Sequence, residues 1–539
     1  MLNLLTDPWL PVIRRHTGRC VIRPAQIAEF HQDKPVIAID WPRPDFRIAT
    51  LEFLTGLLAT VFPPKDGDVW LGFWREPPEP AELDAACAPF AHAFALDGDG
   101  PRFLQDLEDL QSRAEPIERL LIEAPGESTN SKNTDLMVHR GRVTSLGRAT
   151  AAMALYTFQA WAPAGGAGNR TGLRGGGPLV TMVMPGSAPT LWQTIWANVP
   201  EGGKAPTRDE LPLVFPWLAP TVISEGATVV TPQSAHPLQC WWGMPRRIRL
   251  DFVTQATPRP CDMTGEMDSV QVVSWRQRPR GANYAAWGRE HPLTPHYQQK
   301  PKPEWLPVHP QPGGIGYHHW LGLVLASKDG TRLPAATVSQ WHDGRGMNAK
   351  VPRARLVAAG YDMDNMKARC FVESEMPLPS ASNAGAKKEL DELAKQLVES
   401  ADQVASLLRS AVRNALFSQG ATVKLDAALL NAIRERLWEE TETRFFAILE
   451  TAARGSGEAS DTERVGWRDH LRAVALALFD EASPLSADCG GSTAARIGKA
   501  RRLLSIALAG YGPPGVLLLD TLLLPAVQPK EAKKKRSAA

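Results

Sequence analysis

Residues Ala386–Ala415, AKKELDELAKQLVESADQVASLLRSAVRNA, decide the fold of the C-terminal part of this chain. Leu390, Leu393, Leu397, Val404, Leu408, Ala411 and Ala415 recur at steps of three and four residues or their sum, with Lys, Glu and Asp between them. That period lays one apolar stripe along an amphipathic helix. Three more helices follow. Leu429, Ile433, Leu437, Phe445 and Ile448 mark the second, Trp467, Leu471, Val474 and Leu478 the third, and Ile497, Leu504 and Leu508 the fourth. Ser418–Gly420, Gly455–Gly457 and Gly490–Gly491 break them. Four striped helices with short connections bury their stripes most simply as an antiparallel bundle. A four-helix bundle is therefore expected over 379–527. After it, 528–539 ends in PKEAKKKRSAA, a basic tail with nothing to pack, expected to be disordered.

Upstream the pattern changes. Residues 1–378 mix short apolar runs (VIRPAQIAEF, LVTMVMPG, RIRLDFV, VQVVSW, HHWLGLVLAS) with Pro/Gly turns, and candidate helices fall at Ile48–Phe62 and Leu191–Val199. Strands and helices do not alternate regularly, which predicts a large, irregular α+β domain and not a doubly wound sheet. The loops at Glu123–Arg142, Ala162–Pro178 and Arg276–Pro312 exceed ordinary connection lengths, and loops that long tend to carry function. At 539 residues, 43% hydrophobic and 22% charged, the chain has the composition of a folded soluble protein of two or three domains. The formal charge of +2 means that any nucleic-acid contact must use local basic features. Six scattered cysteines without a C-x-x-C pair predict reduced thiols and no zinc ribbon. MLNLLTDPWLPVIRR lacks the pattern of a secretory signal, and Val516–Leu524, interrupted by Asp520, is too short to span a bilayer; a cytoplasmic protein without membrane contact is expected.

The stretch APAGGAGNRTGLRGGGP, Ala162–Pro178, holds seven glycines and two arginines with no acid. Glycine permits positive φ and close backbone approach, and bare N–H groups beside Arg170 and Arg174 could seat phosphates or enter a nucleic-acid groove. An ordinary surface loop and a nucleotide site stand beside that reading. The dinucleotide fingerprint fails, because Thr171 stands where a third glycine is needed, and no Gly-Lys-Ser/Thr follows. Trp275–Lys302 concentrates Arg276, Arg278, Arg280, Arg289, Lys300 and Lys302 against one acid, Glu290. Its interleaved aromatics could stack on bases, or Trp275 and Trp287 could simply pack inward beneath a solvated hairpin. In GYDMDNMKARC, Asp362 and Asp364 could face one way on a strand as metal-binding carboxylates; the Asp364-Asn365 tip fits a turn better, with Met366 as an apolar wedge. His318–His319, read as neighbours on a strand, would point to opposite faces. A G-x-S-x-G elbow and an H-E-x-x-H are both missing, and so is any nameable nucleophile–base pair. This favours a binding protein; a nucleotide hydrolase using the glycine loop, or a metal nuclease using Asp362 and Asp364, is the alternative.

Taken in order, NLLTDPWLPV, PIERLL (Pro116–Leu121), APAGGAGNRTGLRGGGP, GYDMDNMKARC and WEETETRFF (Trp438–Phe446) resemble the CasA family, the large subunit of the type I-E CRISPR surveillance complex Cascade. The resemblance runs nearly end to end. It implies a non-enzymatic subunit, without cofactor, that reads the protospacer-adjacent motif of double-stranded target DNA from the minor groove. It also implies that the subunit helps open the duplex for guide RNA and provides the landing surface of a helicase-nuclease. Position by position, it places Gly165, Gly166, Ala167 and Gly168 along the groove, Ala167 standing where most members have glycine. A basic finger falls at Arg278, or at Arg280 in the alternative register. The wedge falls at Asn365, flanked by Asp364 and Met366. A first loop, about Asn130–Arg140, would meet the guide's handle and the neighbouring Cascade subunits through Asn133, Thr134 and Asp135. Where some members bind zinc through two C-x-x-C pairs, this sequence offers only Cys261, so no metal is expected.

Overall fold

The computed structural model describes residues 1–135, 139–166, 168–226, 228–364, 366–417, 427–485 and 490–527. Ala167, Asn365 and the tail 528–539, all named above, lie outside them. The chain forms two compact units: Met1–Ile315 with Leu321–Leu378, and Gly316–Trp320 with the chain from Pro379 onward.

The first unit is built around α1 (Pro44–Val61), in which every residue but Pro44 and Arg47 is buried. A helix apolar on all sides belongs in the middle of a core. Phe53 at its centre meets Trp9, Phe94, Phe103, Tyr156 and Trp242 edge to face, with ring centroids 5.4–6.3 Å apart. Against α1 lies α2 (Arg148–Trp161), buried except at Arg148, Ala149 and Ala160 and ended by the glycine loop. Five strands position the rest of the site. These are β1 (Val180–Pro185), β2 (Arg247–Pro260), β3 (Met267–Arg278) and, after a run of turns, β4 (Arg353–Asp364), which is followed by β5 (Lys367–Pro379). In one sheet the order is β5-β4-β1, with β4 antiparallel to β1 from Ala354↔Pro185 to Ala359↔Val180. In the other, β2 and β3 form a long hairpin from Arg247↔Arg278 to Pro260↔Met267. The α+β expectation holds for this unit.

The second unit is helical: α3 (Ala384–Leu416), α4 (Ala427–Arg454), α5 (Asp461–Ala482), α6 (Gly491–Leu508) and α7 (Gly512–Thr521). Asn383 caps α3 through the Ala386 N–H, and Ser460 with Glu463 forms a capping box on α5. The stripe predicted on α3 is the buried one: Leu390, Leu393, Leu397, Val404, Leu408, Ala411 and Ala415 all face inward. Helix α3 packs on the other four, so α7 is an addition to the expected four helices. By composition Gly491–Thr521 could cross a membrane. Here it is two helices broken at Gly510 (φ 94°), whose Leu504, Leu508, Leu518 and Leu519 are spent on packing.

The GYHHW segment joins this unit as a 3-10 turn, not a strand. Tyr317 lies between Trp438 and Phe445, and its hydroxyl is 2.7 Å from Thr441 Oγ1. The turn brings the His318 and His319 rings to 3.8 Å, correcting the expectation that they diverge.

Candidate nucleic-acid interface

The glycine loop divides into two halves with different physical reasons for glycine. In Gly172–Gly177 the backbone is wedged against other backbone. A Cβ on Gly172 would stand 2.4 Å from Ala160 O, one on Gly176 2.6 Å from Pro163 Cα, and one on Gly177 2.5 Å from Tyr361 O. The Gly177 N–H closes the loop on Trp161 O at 2.7 Å. This half is a pinched base. Between its two strands rises an arch. Gly165 and Gly166 are exposed, Gly166 (φ 67°) has nothing within 4 Å of a Cβ, and Asn169 N–H donates to Gly166 O at 2.8 Å. Gly168 (φ 84°) lies under the finger.

Arg174 is not a phosphate ligand, which corrects the sequence reading. It is buried, its Nη2 lies 2.5 Å from Glu52 Oε1 on α1, and its Nη1 donates to Thr294 Oγ1 at 3.1 Å. Burial alone would raise the Glu52 pKa, but the Arg174 charge and His291, its Nε2 3.5 Å from Oε1, pull it down to about 2. Burial and Arg174 together lower His291 to about 4. This polar knot ties the base of the loop to the central helix.

The finger is the turn after β3. Arg280 N–H donates to Gly168 O at 2.9 Å, and Arg280 O accepts from Ser224 N–H at 3.1 Å. Those two bonds hold Arg280 at φ 65°, a conformation rare for a side-chain-bearing residue. Ser224 Oγ in turn accepts from Arg170 Nε at 3.0 Å. Arg278 and Arg280 are both exposed, each beside one acid: Arg278 Nη1 is 3.4 Å from Glu108 and Arg280 Nη1 is 3.1 Å from Glu225. Arch and finger are thus one assembly. Trp275 and Trp287, 2% exposed each, are packed inward and offer no stacking surface.

The β4–β5 hairpin is rooted on the same loop. Tyr361 meets Gly177, stands edge to face with Phe371 at 5.1 Å, and donates its hydroxyl to Asp45 Oδ2 at 2.7 Å. From Tyr361 β4 runs three more residues to Asp364, roughly 10 Å at strand rise. Met366 (φ 64°) is 57% exposed, an apolar side chain at a hairpin tip. Asp362 and Asp364 do face one way, but the cation between them is Arg369, 2.6 Å from Asp362 and 3.9 Å from Asp364. Among the described residues no group of three His, Cys, Asp or Glu side chains is gathered to hold a metal.

The first loop is organised by Arg140, which binds Asp135, the Asn130 carbonyl at 3.0 Å and Asn133 Oδ1 at 3.2 Å. Its hydrogen bond holds the Asp135 carboxyl below its usual range. Thr134 N–H donates to Thr129 O at 3.1 Å, so the bonds of Asn133, Thr134 and Asp135 close within the loop. Sequence reasoning missed Ser224, Glu225 and Arg246, because nothing in TVISEGATVV or MPRRIRL marks them as neighbours of a glycine arch.

A glycine arch, an exposed arginine turn and an apolar-tipped hairpin thus stand on one α+β frame in the first unit. The fold matches the solved structure of Thermus thermophilus CasA (Cse1) at a TM-score of 0.66 and 18% identity, covering 94% of this chain and 99% of that one. Cse1 from Acidimicrobium ferrooxidans matches at 0.64 and 19% identity, covering 95% and 99%. A chain of a solved "CRISPR RNA-guided surveillance complex" matches at 0.63 and 16%, covering 93% and 99%. The sequence model of the CRISPR-associated protein Cse1 (CRISPR_cse1) family matches residues 3–478, and the chain belongs to that family.

Proposed function

We propose that this chain is the non-enzymatic duplex-reading subunit of a CRISPR RNA-guided surveillance complex. The observation that carries the reading is the Arg280 N–H to Gly168 O bond, which joins the glycine arch to an exposed arginine. A ribbon of glycines at 165, 166 and 168 fits the minor groove, about 6 Å wide, better than a loop of larger residues would. An arginine beside it suits the negative potential of that groove. Met366 at the hairpin tip would wedge beneath the motif, with Asp364 and Asn365; the few kcal/mol of unstacking are offset by groove contacts and then by guide pairing. The loop about Asn133, Thr134 and Asp135 would meet the guide RNA handle and neighbouring subunits. The subunit would then recruit the helicase-nuclease that cuts.

The test uses the assembled complex. Arg280→Ala, Arg278→Ala and Met366→Ala are each compared on motif-bearing duplex and on single strands complementary to the guide. The expected result is weakened duplex capture with single-strand binding intact. Equal loss on both substrates would contradict the reading, as would hydrolysis of DNA or ATP by the purified chain that Asp364→Ala abolishes.

A further inference from the structure

Beneath the arch lies a cation almost wholly withdrawn from solvent. Arg246, 5% exposed, donates from Nε to the Arg170 carbonyl at 2.5 Å and from Nη2 to the Pro163 carbonyl, so it spans both limbs of the loop. Its guanidinium stacks over Phe158 at 5.1 Å, and its Nη1 would stand 3.1 Å from a Cβ on Gly165. Neighbouring buried arginines have carboxylates: Arg174 has Glu52 and Arg247 has Asp106. Among the described residues no carboxylate pairs with Arg246. Carbonyl dipoles and a ring face are all that offset its burial. An unpaired buried charge is an energetic liability that packing alone does not call for. Two neutral donors would tie the loop limbs together as well.

We propose that Arg246 is the buried charge that makes the glycine arch attract DNA phosphate, a positioning residue acting through the loop it supports. The inference rests on the reading of the arch as a duplex-facing element. Burial lowers the Arg246 pKa to about 10, so the group keeps its charge at neutral pH. The charge sits one backbone layer below Gly165, well inside the roughly 8 Å Debye length at physiological salt. At an effective dielectric of about 20, a unit charge some 7 Å from a phosphate changes affinity by roughly one to two decades.

The test measures duplex affinity of the assembled complex against salt for Arg246→Met, Arg246→Lys and Arg280→Ala, with thermal stability and guide-complementary single-strand binding as folding controls. Arg246→Met is expected to lower duplex affinity at least tenfold and to flatten the slope of log K on log salt by up to about 0.9, with Arg246→Lys restoring the slope. A loop that merely loosens would lose affinity with its salt slope unchanged, and that result overturns the proposal. If Arg246→Met fails to fold, Arg246→Gln, which keeps neutral donors for the two loop carbonyls and removes the charge, decides: a flattened slope supports the inference, and a wild-type slope overturns it. Should Arg280→Ala and Arg278→Ala both leave duplex binding untouched, it is the duplex-facing reading itself that falls.

Discussion

Gly168→Ala is the substitution whose consequence follows most directly from the geometry. Gly168 stands at φ 84°, where an L-residue costs about 1–2 kcal/mol. The new methyl would also sit 3.3 Å from both Arg280 N and Arg280 Cγ and 3.4 Å from Pro279 Cβ, so the strain is relieved by moving the finger. If the native arch–finger arrangement is the one that grips duplex, depopulating it by about 1–2 kcal/mol weakens capture roughly 5- to 30-fold. The arch is on the surface, so the melting temperature should fall by a few degrees at most. Filter binding or gel shift of the assembled complex, on motif-bearing duplex and on complementary single strand, reads both effects. Gly166→Ala carries the same φ cost but meets nothing within 4 Å, and should weaken capture no more than Gly168→Ala does. Undiminished duplex affinity for Gly168→Ala, with a correctly assembled complex, would refute the reasoning.

Three further outcomes are expected. Gly177→Ala places a Cβ 2.5 Å from Tyr361 O at the pinched base; it should lower the melting temperature of the whole chain far more than Gly168→Ala and damage both substrates alike. Arg174→Met leaves Glu52 buried without its partner and should cost about 3–5 kcal/mol in denaturant unfolding, partly recovered by adding Glu52→Gln. Acid should destabilise the first unit in two steps. The lowered His291 pKa (about 4) means the unfolded chain takes up a proton first, so its contribution, full above pH 6.5, is lost as pH falls from 6.5 to 4. The lowered Glu52 pKa (about 2) gives a second loss from pH 4.5 downward. Melting temperature against pH measures both, and His291→Phe should shrink the upper step, to which His236, His296 and His309, also lowered by burial, contribute.

The helical region was legible because a stripe sustained from Leu390 to Ala415 has one geometric meaning. Even there, α7 was hidden: its leucines read as a single apolar run, and only the break at Gly510 makes it a separate helix. In the glycine loop the composition named the place but not the division of labour. Whether a glycine is there for open space or for tight backbone contact depends on Tyr361, Pro163 and Ala160, which sequence distance does not reveal. Arg174 looked like Arg170 on paper. Its partner Glu52 lies on a helix 122 residues away and settles it as a buried anchor. Asp362 and Asp364 were correctly read as facing one way, yet Arg369, on the following strand, already serves them. The aromatics of Trp275–Lys302 show the same limit, since Trp275 and Trp287 are drawn inward by cores that the local pattern does not contain.

A structure of the assembled complex bound to motif-bearing duplex is the most direct measurement. Gly165–Gly168 and the Arg278/Arg280 turn should lie together in one minor groove, with Met366 against the base step where the strands part. Duplex bound on another face of the chain, with the arch and finger in solvent, would contradict the account.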